Sequence, residues 1–202
     1  ATLAKPPSVL VNASAVGYFG TSLDGRFEES SPVGQDFLAR LCQKWEQAAA
    51  EKPAATRLVV LRIGIVLSSQ GGALAKMLPV FRAGFGGPIG SGQQWMSWIE
   101  RGDLCRIIQS SLETDSWSGV INAVAPDPVT MAVFAGSLGR CLGRPSLLPV
   151  PGPMLQLLLG DGSKVVLEGQ FVSSSRLEAL GFNFLCPTLP VALDVATSSS
   201  NR

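Results

Sequence analysis

A serine and a tyrosine stand at the end of the first apolar segment of the sequence. Residues 8–14 read Ser-Val-Leu-Val-Asn-Ala-Ser, which predicts a strand, and a turn that carries Tyr18 follows at once. In open α/β sheets, ligands sit outside the carboxyl ends of the parallel strands. A serine hydroxyl at that place can hydrogen-bond a ligand oxygen, and a nearby phenol can donate or accept a proton. The alternative is that Ser14 merely ends the strand and Tyr18 packs in the turn.

The composition narrows the chemistry that these two residues can support. The 202 residues contain no histidine, which excludes a Ser-His-Asp or Cys-His nucleophile, a histidine base and any histidine-ligated metal. Four cysteines are far apart in the sequence, so no Cys-x-x-Cys motif exists and no metal site is predicted. They are Cys42, Cys105, Cys141 and Cys186. Helical surroundings predict buried, reduced thiols at the first three, which favours a reducing compartment.

Bulk properties indicate a globular protein. The chain is 46% hydrophobic and 15% charged, which suits one or two packed domains. A net charge of +1 gives no electrostatic footprint for nucleic acid or for an anionic membrane. No apolar run reaches the roughly 20 residues that a membrane span needs, since prolines break the segment at 147–159. The tail at 197–202 is polar and stands apart from the rest.

The elements that must position Ser14 and Tyr18 form a strand, a helix and a second strand. Residues 36–50 carry Phe37, Leu41, Trp45 and Ala48 at helical spacing, which predicts an amphipathic helix with these side chains on its apolar, core-facing side. Residues 57–67 are short, continuous and β-branched, as expected for a buried parallel strand. Together they predict a right-handed βαβ unit.

The rest of the chain alternates helices with short strands. Helices are predicted at 73–82, 103–112, 130–142 and 174–180 and after residue 188, and a strand at 119–122. Thr130 is expected to cap the third of these helices and Gly143 to terminate it. In the helix at 103–112, the side chains expected to face inward are Leu104, Ile107, Ile108 and Leu112.

Arg62 and the following Gly64-Ile65-Val66 run form a second candidate group. A guanidinium inside an apolar strand is costly unless it is paired or reaches the strand end. One interpretation is a contact near a ligand at the end of the sheet. The other, equally favoured, is a structural ion pair.

A loop rich in glycine, from Gly84 to Trp98, forms a third candidate group. Glycines let the backbone approach a ligand closely, and Trp95 and Trp98 offer flat surfaces for a ring-shaped ligand. The alternative is a surface loop that its tryptophans pin to the core. Lys76 lies close to this loop and is kept as a candidate, whereas Lys44 on the polar helix face is expected to be solvated.

Five sequence motifs, in this order along the chain, resemble those of a known protein family. They are Ser-Ala-Val-Gly-Tyr-Phe-Gly at 14–20, Leu-Arg-Ile-Gly-Ile-Val-Leu at 61–67, Gly-Gly-Ala-Leu-Ala-Lys at 71–76, Gly-Ser-Gly-Gln-Gln-Trp-Met-Ser-Trp-Ile at 90–99 and Leu-Glu-Gly-Gln at 167–170. The chain resembles the epimerase-like atypical branch of the short-chain dehydrogenase/reductase superfamily. More narrowly, it is similar to the cyanobacterial and chloroplast members described as cell-division-inhibitor-like. The resemblance covers residues 7 to 193.

The resemblance implies an α/β fold, namely the C-terminal portion of an NAD(P)-binding Rossmann fold plus a smaller C-terminal substrate domain. Residues 1–70 would be the remaining βαβ part, residues 71–196 mostly the substrate-binding domain with a segment near 100–125 returning to the Rossmann sheet, and residues 197–202 a tail. The strands and glycine-rich turn that the family carries about 100 residues earlier are not in this sequence. The expectation is therefore a fragment, a longer protein seen in part or a divergent product, with weak or absent dinucleotide binding by the isolated chain.

Site residues carry over by their place in the motifs. Ser14 matches the active-site serine of the superfamily, and Tyr18 stands in as the candidate proton donor. The residues expected to border the cofactor, NADP or NAD, are Ala13, Arg62, Gly64, Ile65 and Val66. The expected substrate contacts are Lys76, Trp95 and Trp98.

Two departures from the family pattern bear on activity. The Tyr-x-x-x-Lys pair of the superfamily should lie on the helix at 36–50 and is not in the sequence. The family often has His and Asp after the second tryptophan, and here only Asp103 keeps the type. The usual means of activating a tyrosine is thus missing.

The sequence predicts an NAD(P)-dependent oxidoreductase or nucleotide-sugar-epimerase-like protein for a small hydroxyl or keto substrate. The alternative is a non-catalytic, nucleotide-sensing or partner-binding protein involved in plastid or cyanobacterial division. The expected compartment is the cyanobacterial cytoplasm or the chloroplast stroma. No nucleic-acid or membrane partner is expected, and a homodimer or a protein partner is left open.

Overall fold

The computed structural model describes residues 5–146 and 169–198, which alternate short strands with helices. The strands are β1 (Val9–Ala15), β2 (Arg26–Phe27), β3 (Arg57–Ile63), β4 (Ile65–Leu67), β5 (Trp95–Met96), β6 (Trp98–Glu100), β7 (Gly119–Ala123), β8 (Val129–Thr130) and β9 (Phe171–Val172). The helices are α1 (Phe37–Ala50), α2 (Gly72–Arg82), α3 (Arg101–Glu113), α4 (Met131–Leu142), α5 (Ser175–Ala179) and α6 (Leu189–Ser198), and a 3-10 helix (Val16–Phe19) follows β1. The proline-broken stretch at 147–159 lies outside the described residues.

A parallel sheet of the order β1-β3-β7 is the centre of the first half of the chain. Its strands are in register so that Ser14, Arg62 and Asn122 are lateral neighbours on one face. The predicted parallel α/β sheet is therefore confirmed. Because parallel strands bring their carboxyl ends to one edge, the side chains that end β1, β3 and β7 meet there.

Different helices cover the two faces of this sheet. On one face α1 packs on β1 and β3, and its own side chains Ala39 and Cys42 are buried. On the other face α3 and α5 pack over an apolar cluster around Leu61 and Ile121. This face is apolar along Val59, Leu61 and Ile121, with Arg57 at the start of β3 donating to carbonyl oxygens of Ser111 and Trp117. The other face holds the polar row that ends at Asn122.

The orientation of α1 differs from the prediction. Phe37 is 70% exposed and Trp45 50%, and Leu41 and Ala48 do not face the core either. The helix instead turns Ala39, Cys42 and Glu46 towards the sheet. The physical reason is the guanidinium of Arg62 in β3, which would be buried without a counter-charge if the apolar stripe of α1 covered it.

The predicted strand at 57–67 is interrupted at Gly64. β3 pairs with β7, whereas β4 leaves this sheet and pairs with β6. A Cβ added at position 64 would lie 2.5 Å from the carbonyl oxygen of Ser97 and 2.9 Å from Val124 Cγ1. The backbone can change partners here because glycine has no side chain.

A second core forms between α2, α4 and α6 around Trp98 and Phe134. Thr130 caps α4 by accepting a hydrogen bond from the amide of Val133, and Gly143 ends this helix with φ 63°, as predicted. α6 continues to Ser198, so the tail begins later than position 197. No helix among residues 5–146 and 169–198 is long and apolar enough to cross a membrane.

Two details of α3 and the cysteines also differ from the prediction. Leu112 is exposed and Cys105 lies on the exposed side of α3, because the helix buries only the side that carries Ile107. Cys42 and Cys186 are buried, and all four thiols are free.

Candidate functional site

The site begins with the polar row at the carboxyl edge of the sheet. Ser14, Arg62 and Asn122 each lie one residue before the end of their strands, which are β1, β3 and β7. All three side chains are buried. Buried polar groups are retained only where they are hydrogen-bonded, so the partners of this row define the site.

Glu46 of α1 is the central acceptor of the row. Its Oε1 accepts a hydrogen bond from Ser14 Oγ at 2.7 Å and from Arg62 Nε at 2.9 Å. Its Oε2 accepts a second bond from Arg62 Nη2 at 2.8 Å. The structural ion pair is therefore present, and it engages the hydroxyl of Ser14 as well.

Arg62 also organises the residues around Tyr18. Its Cζ atom lies 3.4 Å from the centroid of the Tyr18 ring and 4.9 Å from that of Phe19. Its Nη1 donates a hydrogen bond to the carbonyl oxygen of Glu29 at 3.1 Å. A guanidinium over an aromatic face is attracted by the ring quadrupole, so Arg62 fixes the plane of the Tyr18 ring.

Asn122 completes the row on the far side. Its main-chain N–H donates a hydrogen bond to Glu29 Oε1 at 2.9 Å, and its side-chain Nδ2 donates one to the carbonyl oxygen of Ser173 at 3.3 Å. Its Oδ1 is buried and has no hydrogen-bond partner among the described residues. An unsatisfied buried acceptor costs roughly 1–3 kcal/mol, so this oxygen is a place where a ligand or water donor would be stabilising.

A buried thiol lies beneath this network. Burial is the first cause that raises the pKa of Cys42 above 9.0, and the charges of Glu46 and Arg62 act on it in opposite directions. A hydrogen bond with Ser14 lowers the pKa. Cys42 is therefore a protonated packing residue rather than a nucleophile at neutral pH.

The sequence did not point to Glu46, Glu29 or Asn122. One signal was available for Glu46, because it is the single acidic residue of α1 and the guanidinium in β3 requires a carboxylate. No comparable signal marks Glu29. This loop residue contacts Arg62 and Asn122, which lie 33 and 93 residues further along the sequence.

The other predicted cofactor residues surround this row. Ala13 is exposed, whereas Gly64, Ile65 and Val66 are half-buried at the bend between β3 and β4. The amide of Gly64 donates to the carbonyl oxygen of Ala123, which closes the end of the sheet.

The predicted substrate residues lie in three different environments. Trp95 is half-buried, donates its indole N–H to the carbonyl oxygen of Leu23 and packs edge-to-face on Phe171. Trp98 has no exposed surface and donates to the carbonyl oxygen of Asp127, so it supports the loop from inside the core. Lys76 is exposed on α2. None of the contacts among the described residues joins these side chains to Ser14.

Asp103, the aspartate that matches the family pattern after Trp98, connects α3 to the segment at 185–186. Its carboxylate accepts hydrogen bonds from the amides of Leu185 at 3.0 Å and Cys186 at 2.8 Å and from Arg106. Glu100 caps the same helix by accepting from two of its amides. Burial, followed by the charges of Glu100 and Asp103, raises the pKa of Cys186 to about 11.

The segment at 169–174 joins the second half of the chain to the site. Ser97 Oγ donates to the carbonyl oxygen of Gln170 and accepts from the amide of Val172. Gln170 Nε2 donates to the carbonyl oxygen of Val16 at 2.7 Å, directly before the turn that carries Tyr18. Among the described residues, no group of three or more His, Cys, Asp or Glu side chains could hold a metal ion.

A parallel sheet with helices on both faces, and with a polar row at its carboxyl edge, defines a Rossmann-type α/β fold. Comparison with known proteins makes this specific. The crystal structure of the human epimerase family protein SDR39U1 (isoform 2) with NADPH matches with a TM-score of 0.91 and 40% identity, and covers 98% of this chain and 68% of that chain. The protein belongs to the epimerase-like atypical family of short-chain dehydrogenases/reductases.

Sequence relatives agree with this assignment. The chain is 51% identical over 178 residues to the Arabidopsis thaliana "Epimerase family protein SDR39U1 homolog, chloroplastic", and 43% identical over 191 residues to the Homo sapiens "Epimerase family protein SDR39U1". These alignments cover 88% and 94% of this chain, but 51% and 65% of the relatives. The chain thus spans about half to two thirds of their length. Residues 150–196 also match a domain of unknown function, DUF1731.

Proposed function

We propose that the protein is an NAD(P)-dependent oxidoreductase or epimerase-like enzyme that acts on a small hydroxyl or keto substrate. The observation that carries the proposal is the juxtaposition of Ser14, Arg62 and Tyr18 at the carboxyl edge of the sheet. The structure of the human relative was solved with NADPH, and its agreement in fold supports NADPH as the cofactor.

Ser14 orients the substrate in this proposal, and the hydrogen bond to Glu46 decides how. The hydroxyl of Ser14 donates its hydrogen bond to Glu46. The lone pairs of Oγ are therefore left to accept a hydrogen bond from a ligand. Ser14 would therefore accept a hydrogen bond from a substrate hydroxyl rather than donate one to a carbonyl. Tyr18, which Arg62 holds by its ring, is the proposed proton donor.

The cofactor residues contribute shape more than charge. Arg62 is neutralised by Glu46, so it stiffens the edge instead of binding a phosphate. Gly64, Ile65 and Val66 at the bend would border the nicotinamide, and Ala13 would border it from β1. The side-chain position of Gly64 itself is filled by the carbonyl oxygen of Ser97. The cofactor would supply the hydride. Because this chain spans about half to two thirds of its relatives, we expect dinucleotide binding by the isolated chain to be weak or absent.

Trp95 is the substrate contact that the geometry supports best, because its ring is only partly buried and lies beside Phe171. Trp98 acts from behind by fixing the loop, and Lys76 is free to reach an anionic substrate group from α2. Their joint contact with one substrate is part of the proposal.

The test is a comparison of cofactor binding with turnover. NADPH is titrated into the native protein, with its intact mass determined, and binding is followed through NADPH fluorescence. Oxidation of NADPH is then followed with a panel of small ketones, and the reverse reaction with the corresponding alcohols. We expect Tyr18→Phe and Ser14→Ala to lower turnover by about 100-fold or more while the NADPH affinity is retained. Saturable binding without hydride exchange on any substrate would contradict the proposal.

A non-catalytic, nucleotide-sensing or partner-binding protein is the second candidate. The missing Tyr-x-x-x-Lys pair and the engagement of the Ser14 proton by Glu46 favour it. A role in plastid or cyanobacterial division stays a prediction from the resemblance. The name of the Arabidopsis relative, which says chloroplastic, supports a chloroplast location. The stroma within it stays a prediction, with the cyanobacterial cytoplasm as the alternative. A pull-down that finds no stable partner, together with measurable turnover, would eliminate this candidate.

A further inference from the structure

One of the five motifs, Leu-Glu-Gly-Gln at 167–170, has no part in the proposed chemistry. Its last residue, Gln170, is nevertheless buried, with 8% of its surface exposed. The side-chain Nε2 donates a hydrogen bond of 2.7 Å to the carbonyl oxygen of Val16, which lies 154 residues earlier in the sequence. Val16 is the first residue of the 3-10 helix that carries Tyr18. The motif therefore ends in a contact with the turn of the proposed proton donor.

The 3-10 helix has few restraints of its own. It is four residues long, and Ala15 at its N-cap position has no polar side chain that could cap it. Short 3-10 helices also have poorer hydrogen-bond geometry than α-helices. Tyr18 is held at two other points, because Arg62 Cζ lies 3.4 Å from its ring centroid and the amide of Gly34 donates to its carbonyl oxygen. Neither contact acts on the start of the helix, so the bond from Gln170 is a separate restraint.

The main chain on both sides of Gln170 is itself held in place. Ser97 Oγ donates to the carbonyl oxygen of Gln170 at 2.8 Å and accepts from the amide of Val172 at 2.9 Å. A Cβ added at Gly169 would collide with the carbonyl oxygen of Trp95, so these two main-chain segments are in direct contact. Gln170 therefore reaches the turn from a fixed position.

We propose that Gln170 is a positioning residue, which places Tyr18 for proton transfer by fixing the start of its turn. This inference rests on the role of Tyr18 in the proposed function. The same hydrogen bonds join the loop of Trp95, the proposed substrate contact, to that turn, because Ser97 holds Gln170 and Gln170 holds Val16. A displacement of about 1 Å at a reacting group can cost about 100-fold in rate, so a restraint that acts through the main chain affects turnover.

Tyr18 is the single tyrosine of the 202-residue chain, so its position can be followed without turnover. Isotope-labelled tyrosine gives NMR signals from this one ring in the full chain. Gln170→Leu removes the donor and keeps a side chain of similar size. We expect this variant to shift the ring signals by more than their linewidth, because the carbonyl oxygen of Val16 loses its side-chain partner.

Gln94→Leu is the matched control for this measurement. Gln94 is 3% exposed, and its Nε2 donates at 2.8 Å to the carbonyl oxygen of Ile89, which lies outside the turn. The same chemical change at similar burial should therefore leave the signals of Tyr18 in place. Urea unfolding of both variants establishes that they are folded under the conditions of the NMR measurement.

Gln170→Glu makes the restraint reversible. An ionised carboxylate has no donor for the carbonyl oxygen of Val16, whereas a protonated carboxyl has one. Burial raises the pKa of a carboxyl above its usual value of about 4.3, so we expect the ring signals of Tyr18 to be displaced at about pH 8 and to return towards their native positions at about pH 5. The native protein at the same two pH values is the control. Since the protonated carboxyl has the shape of the native amide, this variant also decides the case in which Gln170→Leu does not fold.

Turnover supplies a second readout. With a ketone of the panel that the native protein reduces, Gln170→Leu should lower kcat about 10-fold and change KM by less than about 2-fold. Unchanged signals of Tyr18 in Gln170→Leu, or an equal displacement in Gln94→Leu, would overturn the proposal, and so would a raised KM with kcat unchanged. If the native protein reduces no ketone, the proposed function fails, and the NMR comparison alone then supports or overturns the placement of Tyr18 by Gln170.

Discussion

Two carboxylates, the largely buried Glu46 and the fully buried Asp103, each accept three hydrogen bonds, yet they hold different kinds of group. Glu46 accepts from the side chains of Ser14 and Arg62, which carry the candidate chemistry. Asp103 accepts two main-chain amides from a segment 82 and 83 residues further along the chain, and one bond from Arg106. One carboxylate therefore arranges a site, and the other closes a long loop of the chain.

The difference teaches that a carboxylate next to a predicted motif need not belong to the chemistry. Asp103 follows the tryptophan motif at 90–99, which is part of the resemblance, but its carboxylate is fully occupied by structural donors. Glu46 has no place in any of the five motifs, but it determines which proton Ser14 can offer. Each also has a thiol beside it, Cys42 near Glu46 and Cys186 near Asp103, which can serve as a reporter.

The largest effect is expected from Glu46→Gln. This change leaves the buried guanidinium of Arg62 without its counter-charge, which typically costs about 3–5 kcal/mol. Urea unfolding measures the loss. Glu51→Gln at the exposed end of α1 is the control and should stay within about 0.5 kcal/mol. Equal losses in both variants would mean that the pair is not the reason for the orientation of α1.

Asp103→Asn should have the next largest effect. The amide retains one oxygen and cannot accept the two bonds from Leu185 and Cys186 as strongly, so we expect a loss of about 2–3 kcal/mol. Arg106→Ala removes a partner that is 38% exposed, together with its hydrogen bond to the carbonyl oxygen of Asn183 and its contact with the ring of Phe182, and should still cost less than Asp103→Asn. Unfolding curves of the two variants compare main-chain tethering with the ion pair. A larger loss for Arg106→Ala would reverse this interpretation.

A double replacement at Glu46 and Arg62 should be milder than the single change Glu46→Gln. Glu46→Leu with Arg62→Met removes both buried charges, and apolar replacement of a buried pair is often nearly neutral. We expect stability within about 1–2 kcal/mol of the native protein, but loss of the ordered Ser14 and Tyr18 side chains. Retained turnover in this double variant would show that the pair contributes only to the fold.

The smallest expected effect concerns pH and Cys186. The pKa of its thiol is raised from 9.0 to about 11, so the folded state holds the proton more tightly than the unfolded chain. This contribution to stability is present below pH 9 and is lost as the pH rises through about 11. Because the charge of Asp103 helps to raise the pKa, Asp103→Asn should make Cys186 more reactive towards Ellman's reagent at pH 9. The comparison is Cys42, on whose pKa the charges of Glu46 and Arg62 act in opposite directions.

The sequence predicted elements whose signals are local. The alternation of β-branched strands with amphipathic helices gave the parallel sheet, and the cap at Thr130 and the glycine after α4 are within a few residues of the backbone groups that they satisfy. The serine, arginine and tyrosine of the site were also visible, because their motifs are contiguous.

The parts that could not be predicted depend on distant partners. The rotation of α1 is set by a guanidinium 16 residues beyond Glu46, and the apolar stripe alone favours the opposite face. The role of Asp103 depends on main-chain amides more than 80 residues away, which leave no trace in side-chain pattern. The break at Gly64 follows from a carbonyl at Ser97, which strand periodicity does not report.

The short stretch at 169–174 has a consequence for how the chain can be divided. It lies inside the matched DUF1731 region, yet its polar groups are exchanged with Val16, Ser22 and Ser97 from the first half of the chain. If the chain were divided at the start of that region, hydrogen-bond donors and acceptors on both pieces would lose their partners. The two halves are thus not independent modules. If residues 169–174 are exchanged with those of a relative, the segments around Val16, Ser22 and Ser97 that contact them must be exchanged too.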